Sequence, residues 1–172
     1  MKNDVKSLQK ENNDLKAKID DIENRSRRSN LVFYGIPEHK EGREDCFKTM
    51  NELLQGFVGI DINPEHIDRC HRTPTHRTPD QSKPRMIHVA FSSFQTREIV
   101  RKACIQKFKD NLLDGRKAYV SEDFSRRVQL LRKAKMADFK RLQEQGKKPF
   151  YVYPDTIKYK EDGKVVTYNS GK

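Results

Sequence analysis

The sequence predicts an α+β fold made of an N-terminal coiled coil, an RRM-like β-α-β-β-α-β sandwich and a small α+β C-terminal domain. Three observations predict it: an apolar repeat of 3.5 residues near the N-terminus, short apolar runs that alternate with helical patterns in the middle, and a rise in basic side chains towards the C-terminus. We place the three domains at residues 1–27, 28–117 and 118–172.

The first segment spaces its repeat positions alternately by three and four residues. These positions are Val5, Leu8, Asn12, Leu15, Ile19 and Ile22. Such a stripe stays aligned only if helices supercoil around one another, and an Asn within it fixes their register. Lys18 and Glu23 flank an apolar pair in a spacing that favours three helices, since the basic side chain reaches the acidic one of a neighbour. We expect a homotrimer; the alternative is a single amphipathic helix lying on the following domain.

Four short apolar runs predict the strands of the middle domain. They lie at residues 31–37, 67–71, 86–91 and 118–120. In the third run, Ile87, Val89 and Phe91 alternate with Met86, His88 and Ala90, which indicates a strand with one buried face.

Two stretches with helical spacing of apolar residues lie between these strands, at residues 43–57 and 96–108. The second is expected to turn Ile99, Val100, Ala103 and Cys104 inward. Residues 72–84 carry three prolines and must form a loop. The order β-α-β-β-α-β predicts two helices on one face of an antiparallel sheet, with the other face open.

Alternation along the first strand puts Val32 and Tyr34 on the open face, and His88 joins them from the third strand. Exposed rings on such a sheet can stack on unpaired bases, so Tyr34 and His88 are candidate binding residues. The alternatives are that Tyr34 packs at a domain or subunit interface and that His88 is an ordinary strand residue.

The C-terminal domain is expected to begin with one long helix. Its apolar positions are Phe124, Val128, Leu131, Ala134, Met136 and Leu142, and Gly146 ends it. Residues 151–153, 157–159 and 165–168 are predicted strands, with Asp162 and Gly163 as a hairpin turn.

The charge balance favours a polyanionic partner. The net charge is +11, and residues 118–172 hold 13 basic and 7 acidic side chains, more than half of the excess. Candidate phosphate-binding residues are Arg72, Arg77, Lys83, Arg85, Arg101, Lys102, Arg132 and Lys133. The alternative is that these side chains form ordinary solvated surfaces.

Catalytic and metal-binding signals are weak. The chain has no GxxxxGK[ST], GxSxG or HExxH motif, and Glu122-Asp123 is expected to be a solvated acidic pair at a helix start. Cys70-His71 with His76 lacks a fourth ligand at a usual spacing. The three scattered cysteines favour a reducing compartment. We therefore expect no enzyme, no metal, no cofactor and no membrane association.

Four stretches resemble a known family: NRSRRSNLVFYGIPE, RCHRTP, KPRMIHVAF and AYVSEDFS…RKAKMADF. The chain is similar, over about residues 15–168, to the first-open-reading-frame protein of long interspersed element (LINE) retrotransposons and to its transposase-22-type relatives. The resemblance implies a homotrimer that binds single-stranded RNA, and also single-stranded DNA. It implies packaging of the element's transcript into a cytoplasmic ribonucleoprotein, with the nucleus as a second compartment, and nucleic-acid chaperone activity in retrotransposition.

The family's RNA contacts correspond to five positions of this chain: Arg72, Arg85, Arg101, Arg132 and Lys133, the last in place of an Arg. A rival hypothesis from a different class remains: a coiled-coil protein-interaction scaffold whose basic surface is incidental. A second rival is a protein that binds duplex DNA.

Overall fold

The computed structural model describes residues 2–38, 45–74 and 83–169, which form a mixed α+β protein with an N-terminal helix and two antiparallel sheets. The chain divides into two compact units. The first unit is Asp21–Asp123, and the second unit consists of Met1–Asp20 and Phe124–Lys172. The sequence-based boundary was set before residue 118, but the strand that follows it pairs with the first strand of the first unit.

The N-terminal segment is one helix, α1 (Lys2–Ser26), as the repeat predicted. Its five apolar repeat positions are 54 to 66% exposed. The alternative of a single amphipathic helix lying on the following domain stays open. Ion pairs one turn apart support its C-terminal end, Asp21 with Arg25 and Glu23 with Arg27. Supercoiling with other copies stays a prediction.

The first unit has the predicted order of elements. They are β1 (Asn30–Tyr34), α2 (Cys46–Glu52), which continues as a π-helical segment (Leu53–Val58), β2 (Ile67–Arg72), β3 (Ile87–Phe91), α3 (Phe94–Asp110) and β4 (Tyr119–Glu122). The strands form one sheet in the order β2-β3-β1-β4, with every neighbouring pair antiparallel.

One face of this sheet forms the core. Leu31 and Phe33 of β1 and Ile87 and Val89 of β3 are fully buried there. Their cluster includes Met50 and Leu54 from the first helical segment and Val100, Cys104 and Phe108 from α3.

The expectation for Ile99 was wrong, because this side chain is 63% exposed. The buried stripe of α3 runs through Val100, Cys104 and Phe108 at intervals of four residues, and Ile99 lies about 100° away from it. Val32 also differs from the expectation of an open face, since it is only 4% exposed. It lies in a central strand between His88 and Ser121, whose side chains share its face.

The second unit contains two helices where one was predicted, α4 (Arg126–Ala134) and α5 (Met136–Glu144). The break is at Lys135, whose amide donates to the carbonyl of Arg132 three residues earlier and so tightens the turn. Three antiparallel strands follow: β5 (Phe150–Val152), β6 (Thr156–Glu161) and β7 (Lys164–Thr167). The predicted hairpin turn is confirmed, with positive φ at Asp162 and Gly163.

Candidate functional site

The strongest candidate site lies on the side of the four-stranded sheet opposite the core, which we call the outer face. Pairing register brings two pairs of rings together there. Tyr34 of β1 stacks on Tyr119 of β4 with a centroid distance of 4.3 Å and an interplanar angle of 7°. His71 of β2 stacks on His88 of β3 at 5.5 Å and 15°.

Sequence reasoning identified Tyr34 and His88 but missed their partners. Tyr119 is 55% exposed, although burial of its hydroxyl, aided by Tyr34, raises the pKa of this phenol. His71 and Tyr119 both lay in or beside predicted strands, at 67–71 and 118–120. The missing information was the register, which decides which side chains become neighbours across strands.

A cavity of about 630 Å³ opens on the outer face beside the histidine pair. Its polar lining includes Arg27, Asn30, Asp68, Arg69, His71 and His88. A register shift in β2 between Ile67 and Arg69 turns both Asp68 and Arg69 towards solvent. Strand irregularities of this kind re-aim side chains, here a carboxylate and a guanidinium, towards one site.

The wall of the cavity is fixed by a buried carboxylate. Asp123, expected to be solvated, is 7% exposed. It accepts a hydrogen bond at 3.0 Å from Arg27 Nη1 and another at 3.1 Å from Asn30 Nδ2. Sequence reasoning missed this role because the partner side chains are more than 90 residues away along the chain.

His88 is held in place as well. Its Nε2 lies 3.2 Å from Thr73 Oγ1. Burial lowers the pKa of His88. The negative charge of Asp123 acts in the opposite direction and raises this pKa, whereas the neighbouring His71 lowers it further. The lowered pKa favours the neutral form of the His88 ring, which is suited to stacking.

Two of the predicted phosphate-binding arginines are engaged in internal structure. Arg72 is 7% exposed, and its guanidinium donates to the carbonyls of Ile36 (3.1 Å), Pro37 (2.6 Å) and Arg85 (2.6 Å). The Arg85 guanidinium grips the carboxylate of Glu38, with Nη2 2.7 Å from Oε2, and this contact lowers the pKa of Glu38. The geometry favours a structural role for both.

The remaining predicted cations of the first unit are nearer to solvent. Arg101 makes a two-point contact with Glu98, 2.9 Å from Nε to Oε1 and 3.0 Å from Nη2 to Oε2, which raises the pKa of Arg101. Lys83 and Lys102 are exposed. Arg77 lies outside the described residues.

A buried arginine that sequence reasoning missed is Arg97, which is 3% exposed on α3. Its Nη2 lies 2.8 Å from Oε1 of Glu122, and it also contacts Glu98. Within the described residues its buried Nε has no hydrogen-bond partner. Arg97 joins the helix layer to β4, and no local sequence signal distinguishes it from a solvated arginine.

The second unit holds Arg132 between two rings. Its guanidinium carbon lies 4.0 Å from the centroid of Phe124 and 5.0 Å from that of Tyr151, and its Nε donates to the carbonyl of Pro154 at 2.8 Å. Lys133, the next residue, is exposed. The predicted pair thus consists of one side chain fixed by packing and one open to solvent.

In the parts of the chain that the structure describes, no three His, Cys, Asp or Glu side chains are grouped as metal ligands would be. The described helices also include none with the length and apolarity to cross a bilayer. The three cysteines are free thiols, and burial raises the pKa of Cys104 to about 12.

No family model matches the chain. The chain is similar to the mouse (Mus musculus) LINE-1 type transposase domain-containing protein 1, with 30% identity over 151 residues, which is 87% of this chain. Because the match covers 19% of the mouse protein, the chain spans about a fifth of the length of this curated relative. The similarity supports a LINE-1-related family.

Proposed function

We propose that the chain binds single-stranded RNA without catalysing a reaction, and that it packages the transcript of a LINE-type retrotransposon into a cytoplasmic ribonucleoprotein. In this proposal the chain acts as a homotrimer, also binds single-stranded DNA, and serves as a nucleic-acid chaperone during retrotransposition. The observation that carries the proposal is the outer face of the sheet, with its two ring pairs and its adjoining cavity.

The arrangement of the first unit supports this reading. Its β-α-β-β-α-β order and its sheet order β2-β3-β1-β4 are those of the RNA recognition motif, which we propose as its fold family. In that motif the sheet presents aromatic side chains on which unpaired bases stack. Tyr34 and Tyr119 offer such a surface here.

Exposed cations supply the second part of the proposal. Arg69, Lys102 and Lys133 are exposed, and no ion pair involves them within the described residues. Such side chains can contact phosphates at little desolvation cost, whereas Arg72 and Arg85 would first have to leave their internal partners. Binding should therefore depend on the exposed set more than on the buried arginines.

The exposed apolar repeat of α1 supports the homotrimer. A face of five apolar side chains that the chain itself leaves exposed is what a coiled coil buries between copies. Lys18 is exposed, and Glu23, which pairs with Arg27 of its own chain at 2.9 Å, would exchange that partner for the Lys18 of a neighbouring helix in a three-stranded arrangement. Three copies on one stalk would strengthen a weak site by raising its effective concentration.

Salt dependence tests the RNA-binding proposal. Each neutralised phosphate of a single strand contributes about 0.7 to the slope of log affinity against log salt. Three contacts would then weaken binding about 20-fold between roughly 50 and 200 mM salt. Filter binding of a labelled 20-nucleotide RNA measures this, and affinity that does not change with salt would contradict the proposal.

Charge reversal separates RNA binding from the scaffold hypothesis. Lys102→Glu combined with Lys133→Glu should weaken RNA binding and leave assembly intact. Ile19→Asp should lower the mass in sedimentation equilibrium and weaken binding only through lost avidity. A chain that assembles normally but binds no RNA would favour the scaffold, and preference for duplex over single-stranded oligonucleotides would favour a duplex-DNA protein.

A further inference from the structure

We propose that the cavity on the outer face takes one nucleotide of the single-stranded chain, with its base stacked on the His71–His88 pair and its phosphate at Arg69. This inference rests on the proposed RNA binding and specifies where one base is held. The volume of about 630 Å³ falls within the range of roughly 300–1,000 Å³ that is usual for small-ligand sites.

The histidine pair is suited to stacking because its two rings differ in freedom. His88 is half-buried and anchored by Thr73, so its ring plane is fixed. His71 is exposed and lies nearly parallel to it at 15°, which leaves one ring face open to solvent. A base that stacks on that face extends an existing column of rings.

The irregularity in β2 gives the cavity its polar chemistry. Asp68 and Arg69 are consecutive and both exposed, where a regular strand would bury one of them. Within the described residues, neither side chain makes a hydrogen bond or an ion pair. The carboxylate can accept from the N–H groups of a base edge, and the guanidinium can contact a phosphate through two donors.

The opposite wall is already ordered. Arg27 is held by Glu23 at 2.9 Å and by Asp123 at 3.0 Å, and Asn30 is held by the other Asp123 oxygen. A binding wall that is fixed before the ligand arrives avoids the ordering cost that flexible side chains add to association. The cavity therefore combines a fixed polar wall, a stacking surface and two exposed polar side chains.

The test compares full-length His71→Ala with unmodified chain in fluorescence anisotropy with labelled single-stranded 12-mers of uridine and of adenosine. The variant removes one aromatic ring of the stacked pair and leaves His88 in place. Loss of one stacked base should weaken binding about fivefold or more. His71→Tyr should restore affinity, and the slope against salt should not change.

The matched control is His66→Ala, which removes an exposed histidine of the same unit that does not line the cavity. Equal affinity of His71→Ala and the unmodified chain, with salt-dependent binding intact, would overturn the cavity assignment and leave the proposed function standing. If the unmodified chain binds neither 12-mer, both proposals fail.

A direct readout uses the ring Cε1–H resonances of the histidines during titration with the uridine 12-mer. Stacking should shift the resonances of His71 and His88 and leave that of His66 in place. If only His66 moves, or none of the three, the base does not occupy this cavity, whatever the affinities of the variants.

Discussion

The two compact units build their interiors differently. Among its described residues, the first unit has a cluster of 16 buried apolar side chains between its sheet and its helices. Among the residues described in the second unit, the buried cluster has three members, Leu142, Ile157 and Tyr159, and half-buried aromatic side chains pack around it. The smaller core leaves its unit more dependent on contacts that involve charge and ring stacking.

The surroundings of the basic side chains also differ between the two units. In the first unit, Arg72 and Arg97 are buried. Arg72 donates hydrogen bonds to backbone carbonyls, and Arg97 pairs with carboxylates. In the second unit, Arg132 lies between two rings, and Lys147 lies 4.1 Å from the ring centroid of Tyr159. Part of the net charge of +11 is thus internal to the fold, and the exposed remainder is what a polyanion would meet.

The largest effect on stability is expected from a change in the core of the first unit. Phe33→Ala removes a fully buried ring from the middle of the sheet and should lower the free energy of unfolding by about 3–5 kcal/mol. Urea denaturation followed by circular dichroism measures it. Ile99→Ala, on the exposed side of α3, is the control and should change stability by less than about 0.5 kcal/mol. Similar losses in both variants would contradict the assigned core.

The second-largest effect is expected from Arg72→Ala, which should lower the free energy of unfolding by about 2–3 kcal/mol. The reason is that three carbonyl oxygens lose the charged donor to which they are hydrogen-bonded. Lysine should not restore the loss, since one ammonium group cannot reproduce the fork of the guanidinium. The experiment compares RNA affinity with unfolding at the same temperature. Weakened RNA binding by a variant with unchanged stability would mean that Arg72 contacts RNA directly.

Arg132→Ala tests the smaller core of the second unit and should lower the free energy of unfolding by about 1–2 kcal/mol. The variant loses two cation–ring contacts and one hydrogen bond to a carbonyl. Lys133→Ala is the matched control, since Lys133 is the next residue along the helix and its side chain is exposed. Thermal unfolding of both variants measures the difference. Equal melting temperatures would mean that the ring sandwich adds no stability to this unit.

The sequence predicted the order of elements well because apolar alternation and Gly or Pro stops are local signals. It predicted the hairpin at Asp162–Gly163 for the same reason. It did not predict that Arg72 would be buried or that His71 would stack on His88, since both depend on strand register and on backbone carbonyls distant in sequence. Net charge predicts a kind of partner, whereas the burial of each basic side chain decides which cations such a partner could reach.

The smallest effect concerns acid sensitivity. The pKa of Glu38 is lowered mainly by its hydrogen bond with the Arg85 side chain, and the pKa of Glu98 mainly by that with Arg101. A lowered pKa in the folded state means that the stabilisation is complete above the ordinary value of 4.5 and is lost as the pH falls through the lowered pKa. Both pairs are partly exposed, so solvent screens them and each effect should be small.

Glu38→Gln should therefore reduce stability slightly at neutral pH and make the fall in stability below about pH 4.5 shallower. Urea titrations at a series of pH values between about 3 and 7 measure this, with Glu52→Gln, an exposed carboxylate 4.0 Å from Lys48, as the control. A difference between the Glu38 variant and the unmodified chain that is constant over this range would mean that the Arg85 contact is not linked to protonation. If the difference in unfolding free energy between the Glu38 variant and the unmodified chain disappears on acidification, the Arg85–Glu38 pair stabilises the first unit through its charge. This pair adjoins the buried Arg72, which donates to the carbonyl of Arg85.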